Sequence, residues 1–499
     1  MPPTGSKISQ TLARNRVGTV AIVFMTVSAA APLTVIGGGA VSGFAVSGTT
    51  GIPVGYLAIA LVLALFAVGF TTMARHIPNA GSFYAYVSAG LGRVPGVAAA
   101  GIAVLAYNVI QVAFYGGFGV AFARTLSQLT GLPIPWWAVA LVAWALIAVL
   151  GLRKVDISGR ILGVLLTAEI LVVIVFDVVY LANPAGGTTT VDTLSPMQLM
   201  TPAAGVALVI AFTGNIGFES PAVFSEEAKD RRRTVARATY IALAVIGVLY
   251  AVSTWALTVA TGPDGIVAQA NEHDTDLLFF LAGQHLPAPV VLAGEFLFAT
   301  SLFAGLLAWH NVASRYHFAL GREGVLPRWL GATNPMTGAP RNGSLVQSAF
   351  ALVVIVINAV AGLDPTTYLF FWGSSLGALG VLVLITATSA AVIGFFARRD
   401  EEASVWRTRV APGLALLVLG TILVLTVITF DQVLGTDSGD PAAWILPGLY
   451  VLVAIAGAVW ALVLRDRQPQ VWQHIGAGTA SSLVDPTDSA DGRAVRSHG

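Results

Sequence analysis

The stretch Thr213-Gly214-Asn215-Ile216-Gly217-Phe218-Glu219-Ser220-Pro221 decides how this chain is read. It lies inside an apolar block, residues 201–224, long enough to cross a bilayer as a helix. Its two glycines ease departure from helical geometry, and its proline removes a hydrogen bond and collides with the preceding turn. In hydrocarbon a freed backbone group has to find a partner in protein, water or a ligand. An interruption at this depth points to a cavity. Glu219 inside it adds an acidic group that rarely faces lipid.

The rest of the chain puts that block in a membrane. Hydrophobic residues make up 56% and charged residues 10% of the sequence, against about 25% charged in soluble domains. Apolar blocks lie near residues 18–46, 53–74, 97–123, 136–152, 160–181, 201–224, 236–261, 288–314, 344–362, 367–397, 410–430 and 444–464. That is about twelve spans, each near the length a helix needs to cross. With the N-terminus inside, the loops near 75–96, 153–160, 225–237, 315–343 and 398–409 are cytoplasmic. Those loops and the two termini hold all of the 26 basic residues except Arg124. The distribution follows the positive-inside rule, and one helix more or fewer would invert it downstream. The run Lys229-Asp230-Arg231-Arg232-Arg233 is first a topology determinant and second a place for anionic membrane lipids; nucleic acid is not implied. Cysteine is absent, which removes disulfides, thiolate metal sites and Cys nucleophiles. The polar N-terminus, with Lys7, Arg14 and Arg16, leads into a long apolar block without a cleavage signal, so no removed signal peptide is expected. From Gln468 onward the chain is polar and is expected to be disordered.

A second block is interrupted in the same way. Ser28-Ala29-Ala30-Ala31-Pro32 and then Gly37-Gly38-Gly39 fall within the first span. A single Gly/Pro-bearing span is commonly a packing or kink feature. The first and sixth spans, however, hold corresponding places if ten spans form two repeats of five. An odd number of helices per repeat inverts the second repeat, which is the inverted-repeat transporter pattern, with substrate held where the broken helices meet. The expected organisation is a cytoplasmic tail over 1–17, a ten-helix core over 18–397 (repeats 18–181 and 201–397), two further helices over 410–464 and a cytoplasmic tail over 465–499. Freed N–H groups near Ala31 and Gly37–Gly39 suit a carboxylate. Freed carbonyls over Thr213–Ile216 suit an ammonium group. An amino acid carries both.

Three motifs carry a family likeness. GNIGFESPAVFSEEAKDRRRTVARA (214–238), TMARHIPNAGSFYAYVSAGLGR (72–93) and ASRYHFALGREGVLPRWL (313–330) resemble the amino acid–polyamine–organocation permeases over roughly residues 15–465. The resemblance implies an all-α membrane protein with a leucine-transporter-type 5+5 inverted repeat, two peripheral helices and both termini cytoplasmic. It implies secondary transport by alternating access, here of amino acids, in the cytoplasmic membrane and without ATP hydrolysis. The family's G-x-G-I-F-like signature in the first helix is replaced by Ala29-Ala30-Ala31-Pro32-Leu33. In some proton-coupled relatives a Lys holds the place of Glu169, and sodium-coupled relatives of this fold put hydroxyl ligands at the places of Thr300 and Ser301.

Candidate site residues follow. Substrate contacts are expected from Ala30, Ala31, Gly37, Gly38, Thr213, Gly214, Ile216 and Gly217, with Phe212 and Phe218 flanking the break as a lid. Tyr107 and Gln111, four apart on one helix face, would line the cavity or bridge helices. Glu169, Glu219, Thr300 and Ser301 are the coupling candidates, for H+ or Na+. A carboxyl taken out of water favours its protonated form, which makes Glu169 a proton-carrier candidate. Asp177 and Glu295 have weaker claims. His310, His317 and His76 lack metal-ligand spacing and read as interfacial. No catalytic residue, metal or cofactor is expected, since neither H-E-x-x-H, G-x-S-x-G nor a phosphate loop occurs. The rival readings are an amine or polyamine carrier, an amino-acid exchanger of the same fold, and a membrane receptor or channel.

Overall fold

The structure, a computed structural model, describes residues 11–13, 15–230, 233–399 and 404–478, without the side chain of Asp156. Lys7, Arg14, Arg231, Arg232, Arg493 and Arg496, which entered the charge pattern, lie outside the described residues. Among the described residues the fold is all helical, apart from one isolated parallel bridge between Val17 and Ala228.

Among the described residues, ten helices are long and apolar enough to cross a membrane: Thr19–Ser47, Ile52–Ala74, Arg93–Thr130, Ile157–Ala182, Thr234–Thr261, Ala288–Glu323, Arg341–Ala361, Pro365–Ala397, Trp406–Ile428 and Ala442–Arg467. The two remaining apolar blocks of the sequence are a 16-residue helix, Trp136–Gly151, and the interrupted stretch itself. That stretch is helical over Ala204–Asn215, leaves the helix at Ile216, and makes one short 3-10 turn at Ser220–Ala222. Large apolar side chains cover the outside of the bundle, with Val164 72% and Val360 83% exposed. A surface of that kind belongs against lipid.

Helix Arg93–Thr130 packs along Ala288–Glu323, Pro365–Ala397 and Ala442–Arg467, while Ile52–Ala74 packs along Thr234–Thr261. Small residues let these helices come close: a Cβ on Gly373 would stand 2.9 Å from that of Ala113. The first interrupted helix lies among Val155–Ala182, Thr234–Thr261 and Ala288–Glu323.

Three sequence expectations are corrected. The first span breaks at Ala31, in the left-handed region at φ 46, and restarts at Pro32, whose missing N–H costs nothing at a helix start. Gly37-Gly38-Gly39 do not break it; they sit in a wide π-helical turn, Val35–Ala40, that runs on into Val41–Ser47. The chain beyond Gln468 is folded as far as it is described. Pro469–His474 is helical, Val471 and Ile475 are buried, and the backbone after them is bound by Glu323; residues 479–499 lie outside the description. Local polarity hid this because the stabilising partners are more than 100 residues away. Finally, His310 is buried in the helix packing with Nε2 2.8 Å from Ser344 Oγ, and His317 is buried too, so neither is interfacial. His76 alone of the three is exposed, edge-on to Phe395 and Phe396.

Candidate functional site

The two interruptions lie against each other. Gly217 has φ 111, and a Cβ there would stand 3.0 Å from Ala29 Cβ and 3.1 Å from the Ala30 nitrogen. Only a glycine brings the second break this close to the first. Gly214 is equally confined: a Cβ would come within 2.7 Å of Val35 and 2.9 Å of the Tyr56 ring.

Backbone groups released by the breaks are taken by the protein's own side chains. Leu33 N–H donates to Glu169 Oε1 at 2.6 Å, and Gly217 N–H donates to Glu219 Oε2 at 2.9 Å. The Ala30 carbonyl accepts from the Tyr250 hydroxyl at 3.0 Å. Ser220 Oγ donates to Thr26 Oγ1 at 3.1 Å, tying the second break to the helix before the first. Each break thus has one buried carboxylate serving it, which meets the demand of irregular backbone at membrane depth.

Glu169 joins three elements. Its Oε1 also accepts from Ser301 Oγ at 2.6 Å, and Ser301 accepts from Thr34 Oγ1 at 3.2 Å. Oε2 has no hydrogen-bond partner among the described residues. Glu219 Oε1 accepts from the Tyr107 hydroxyl at 3.1 Å. The Tyr107 ring lies 5.6 Å from that of Trp309 and 5.0 Å from that of Tyr316.

A cavity of about 330 Å³ lies beside the breaks. Ala29, Ala30, Thr34 and Val35 line it from the first broken helix, and Thr213, Gly214 and Ile216 from the second. Ile110, Phe114 and Trp309 close one wall; Phe370, Phe371, Ser374 and Ser375 close another. It runs toward Val46 and Gly435, at the ends of their helices. No Asp or Glu lines it among the described residues.

Of the expected substrate contacts, Ala30, Thr213, Gly214 and Ile216 lie on this cavity. Ala31, Gly37, Gly38, Phe212, Gly217 and Phe218 are buried and do not line it. Phe218 packs edge-on to Phe66 at 5.9 Å rather than over the cavity. Gln111 meets Gln347 at 2.8 Å and bridges two helices. Tyr107 bridges to Glu219. Ser301 belongs to the Glu169 cluster, whereas Thr300 donates to Leu297 O of its own helix. Asp177 accepts from Ser253 at 2.7 Å. Thr34, Phe114, Trp309, Phe370 and the Ser374-Ser375 pair were not anticipated. Phe114, Trp309 and Phe370 are apolar side chains in largely apolar spans, so their identity does not mark which face turns inward; Thr34 and the Ser pair were the readable signals.

Comparison with known proteins decides the family. The amino acid permease family profile matches residues 17–463, nearly the whole described bundle. The chain belongs to the amino acid permease family. It is 30% identical over 327 residues to the branched-chain amino acid permease BcaP of Lactococcus lactis subsp. cremoris, covering 62% of this permease and 68% of that protein. It is 25% identical over 454 residues to BcaP of Bacillus subtilis, covering 84% and 90%. It is 25% identical over 368 residues to the low-affinity putrescine importer PlaP of Escherichia coli, covering 72% and 76%. These relatives are transporters, and this permease is a multi-pass membrane protein of that kind rather than an enzyme.

At the end of the bundle away from Val46 the permease is sealed. Arg315 grips Glu227 with Nε at 2.6 Å and Nη2 at 3.1 Å. Arg322 grips Glu226 at 2.7 and 2.8 Å. All four side chains are buried. The Ala80 N–H also donates to Glu226, and Arg16 N–H and Lys229 N–H pair the N-terminal segment with the same loop. Each residue here comes from one of the three family-like motifs or from a chain end, and the first and last described segments meet at this one end. The sequence reading did not foresee these pairs, because 88 and 96 residues separate the partners.

Proposed function

We propose that this permease takes up an amino acid with an apolar side chain by alternating access, coupled to protons. The carrying observation is the cavity beside two broken helices that is sealed at one end by buried ion pairs. A carrier needs this: a central site with access from one side at a time. The walls formed by Val35, Ile110, Phe114 and Ile210 suit an aliphatic side chain, and the curated relatives named for branched-chain amino acids agree with that chemistry. Absence of acidic residues from the lining disfavours a polyamine, whose several ammonium groups would want carboxylates. An amine carrier, the reading PlaP's name suggests, therefore comes second.

Glu169 is the proposed proton seat. One of its oxygens carries both donors, from Leu33 and Ser301, and the other is unpartnered among the described residues. A proton on Oε2 leaves both bonds intact while removing the charge that strengthens them. Occupancy would then be felt at Leu33, just past the first break and three residues from the cavity-lining Ala30. Thr34, Ser301 and Glu169 would also be the oxygens available to Na+, but here they are bonded to one another. Completing the proposal, the chain crosses the cytoplasmic membrane twelve times, as a 5+5 inverted repeat plus two helices, with the sealed end and both termini cytoplasmic and among lipid headgroups.

Uptake by the full chain in proteoliposomes, against a panel of amino acids and amines with imposed pH and Na+ gradients, tests this. Expected is accumulation of leucine, isoleucine or valine driven by an inward proton gradient. Transport of no panel member would refute the proposal; accumulation of diamines alone would move it to the second reading.

A further inference from the structure

A smaller crevice of about 110 Å³ lies next to the main cavity and shares Phe370 and Phe371 with it as a common wall. Phe279 and Phe298 line its sides, 5.7 Å apart and edge to face. Its charged lining is Arg124, Asp276 and Glu295. Arg124 is the one basic residue that the charge pattern puts on the outer side, so topology does not account for it. Its guanidinium is engaged by Asp276, Nη1 to Oδ1 at 2.5 Å. Glu295 is half-buried, within electrostatic reach of both, and makes no hydrogen bond or ion pair among the described residues.

One guanidinium facing two carboxylates leaves a unit of negative charge uncompensated. It stands in a crevice whose other walls include the rings of Phe279, Phe298, Phe370 and Phe371 among aliphatic and threonine side chains. That combination attracts a compact organic cation: the carboxylate supplies charge and the ring faces add cation–π attraction. We infer that this crevice is an antechamber site that captures the ammonium group of an incoming substrate at Glu295 before it passes Phe370 and Phe371 into the main cavity. The ammonium group is what amino acids and amines share, so the site serves either. The inference rests on the transport reading for its role, though not for the binding itself. Arg124 keeps Asp276 occupied and so leaves Glu295 as the receptor. A capture site of this kind raises the local substrate concentration without touching the transport cycle.

Two measurements on the full-length protein test it. In proteoliposomes, Glu295→Gln is expected to raise KM for transported substrates about five-fold with kcat within two-fold. The gap should narrow at high ionic strength, because the attraction is screened, and Glu295→Asp should restore KM. An unchanged KM, or a fall in kcat at constant KM, overturns the inference. By calorimetry on detergent-solubilised protein, n-butylamine is expected to bind wild type several-fold more tightly than Glu295→Gln. Equal binding to the two, or none to wild type, also overturns it. Failure of wild type to transport anything, with n-butylamine binding still dependent on Glu295, would sink the transport reading and leave this site standing.

Discussion

Glu169 and Gly217 are the two residues on which most of the site hangs, for different physical reasons. Glu169 Oε1 holds the restart of the first helix through Leu33 N–H and the Ala288–Glu323 helix through Ser301. Replacing it with Gln keeps an acceptor in place but ends proton exchange at that position. Glu169→Gln is expected to abolish pH-dependent accumulation while counterflow of labelled substrate persists; uptake that still follows an imposed pH gradient would remove Glu169 from coupling. Gly217 acts by its backbone. At φ 111 any Cβ is strained, and this one would also press on Ala29 and the Ala30 nitrogen. Gly217→Ala should cost about 1–3 kcal/mol at the break and reduce transport at least ten-fold. Chromatographic behaviour on size exclusion should stay that of the wild type; normal uptake by this variant would show that close contact of the breaks is dispensable.

Among elements, the sealed end depends on the 225–230 segment docking on the Ala288–Glu323 helix through Glu226–Arg322 and Glu227–Arg315. Removing one partner of a buried pair strands the other charge, at a cost of about 3–5 kcal/mol, whereas removing both leaves no stranded charge. Arg322→Met is therefore expected to lower the thermal unfolding temperature more than Glu226→Gln/Arg322→Met does, since the two are coupled. A double variant that loses as much as the two single variants together would mean the pair contributes no coupling. These pairs also show what sequence could and could not deliver. Long apolar blocks, the basic loops and Pro32 with Gly214 and Gly217 sufficed for a helical membrane bundle with two interrupted helices, because length, charge and backbone preference are local properties. The contacts that make a site of them join residues 136 apart, as in Leu33–Glu169, or 236 apart, as in Gln111–Gln347. In largely apolar spans, nothing in the identity of Trp309 or Phe370 says that it turns toward the cavity. The same limit made Phe218 look like a lid and the polar tail look unfolded.

For the whole molecule, the tail is the unexpected component. Glu323 ends the Ala288–Glu323 helix as a buried carboxylate and accepts from four donors: Asn79 Nδ2 at 2.7 Å, the Tyr84 hydroxyl at 2.8 Å, Gly476 N–H at 2.6 Å and Gly478 N–H at 2.9 Å. Two of these four belong to the tail. Arg93 adds a cation–π contact to Trp472 and a bond to the Gln473 carbonyl, and Trp460 Nε1 donates to the Val325 carbonyl just past the same helix end. The tail thus stitches the 79–93 segment to the helix that bears Arg322, next to the ion pairs that seal the bundle. A chain ending at Gln468 loses two donors to a buried charge and the packing of Val471 and Ile475, so the sealed state should weaken relative to the open one. The natural absence of cysteine makes this measurable with one introduced thiol. Ser225, buried beside Glu226, is close in size to Cys. Ser225→Cys should react with a membrane-impermeant thiol reagent several-fold faster in the truncated protein than in the full chain. The added substrate should slow it less in the truncated protein, because occlusion then has a weaker closed end to hold. Equal labelling rates would reduce the tail to surface packing with no part in the transport cycle.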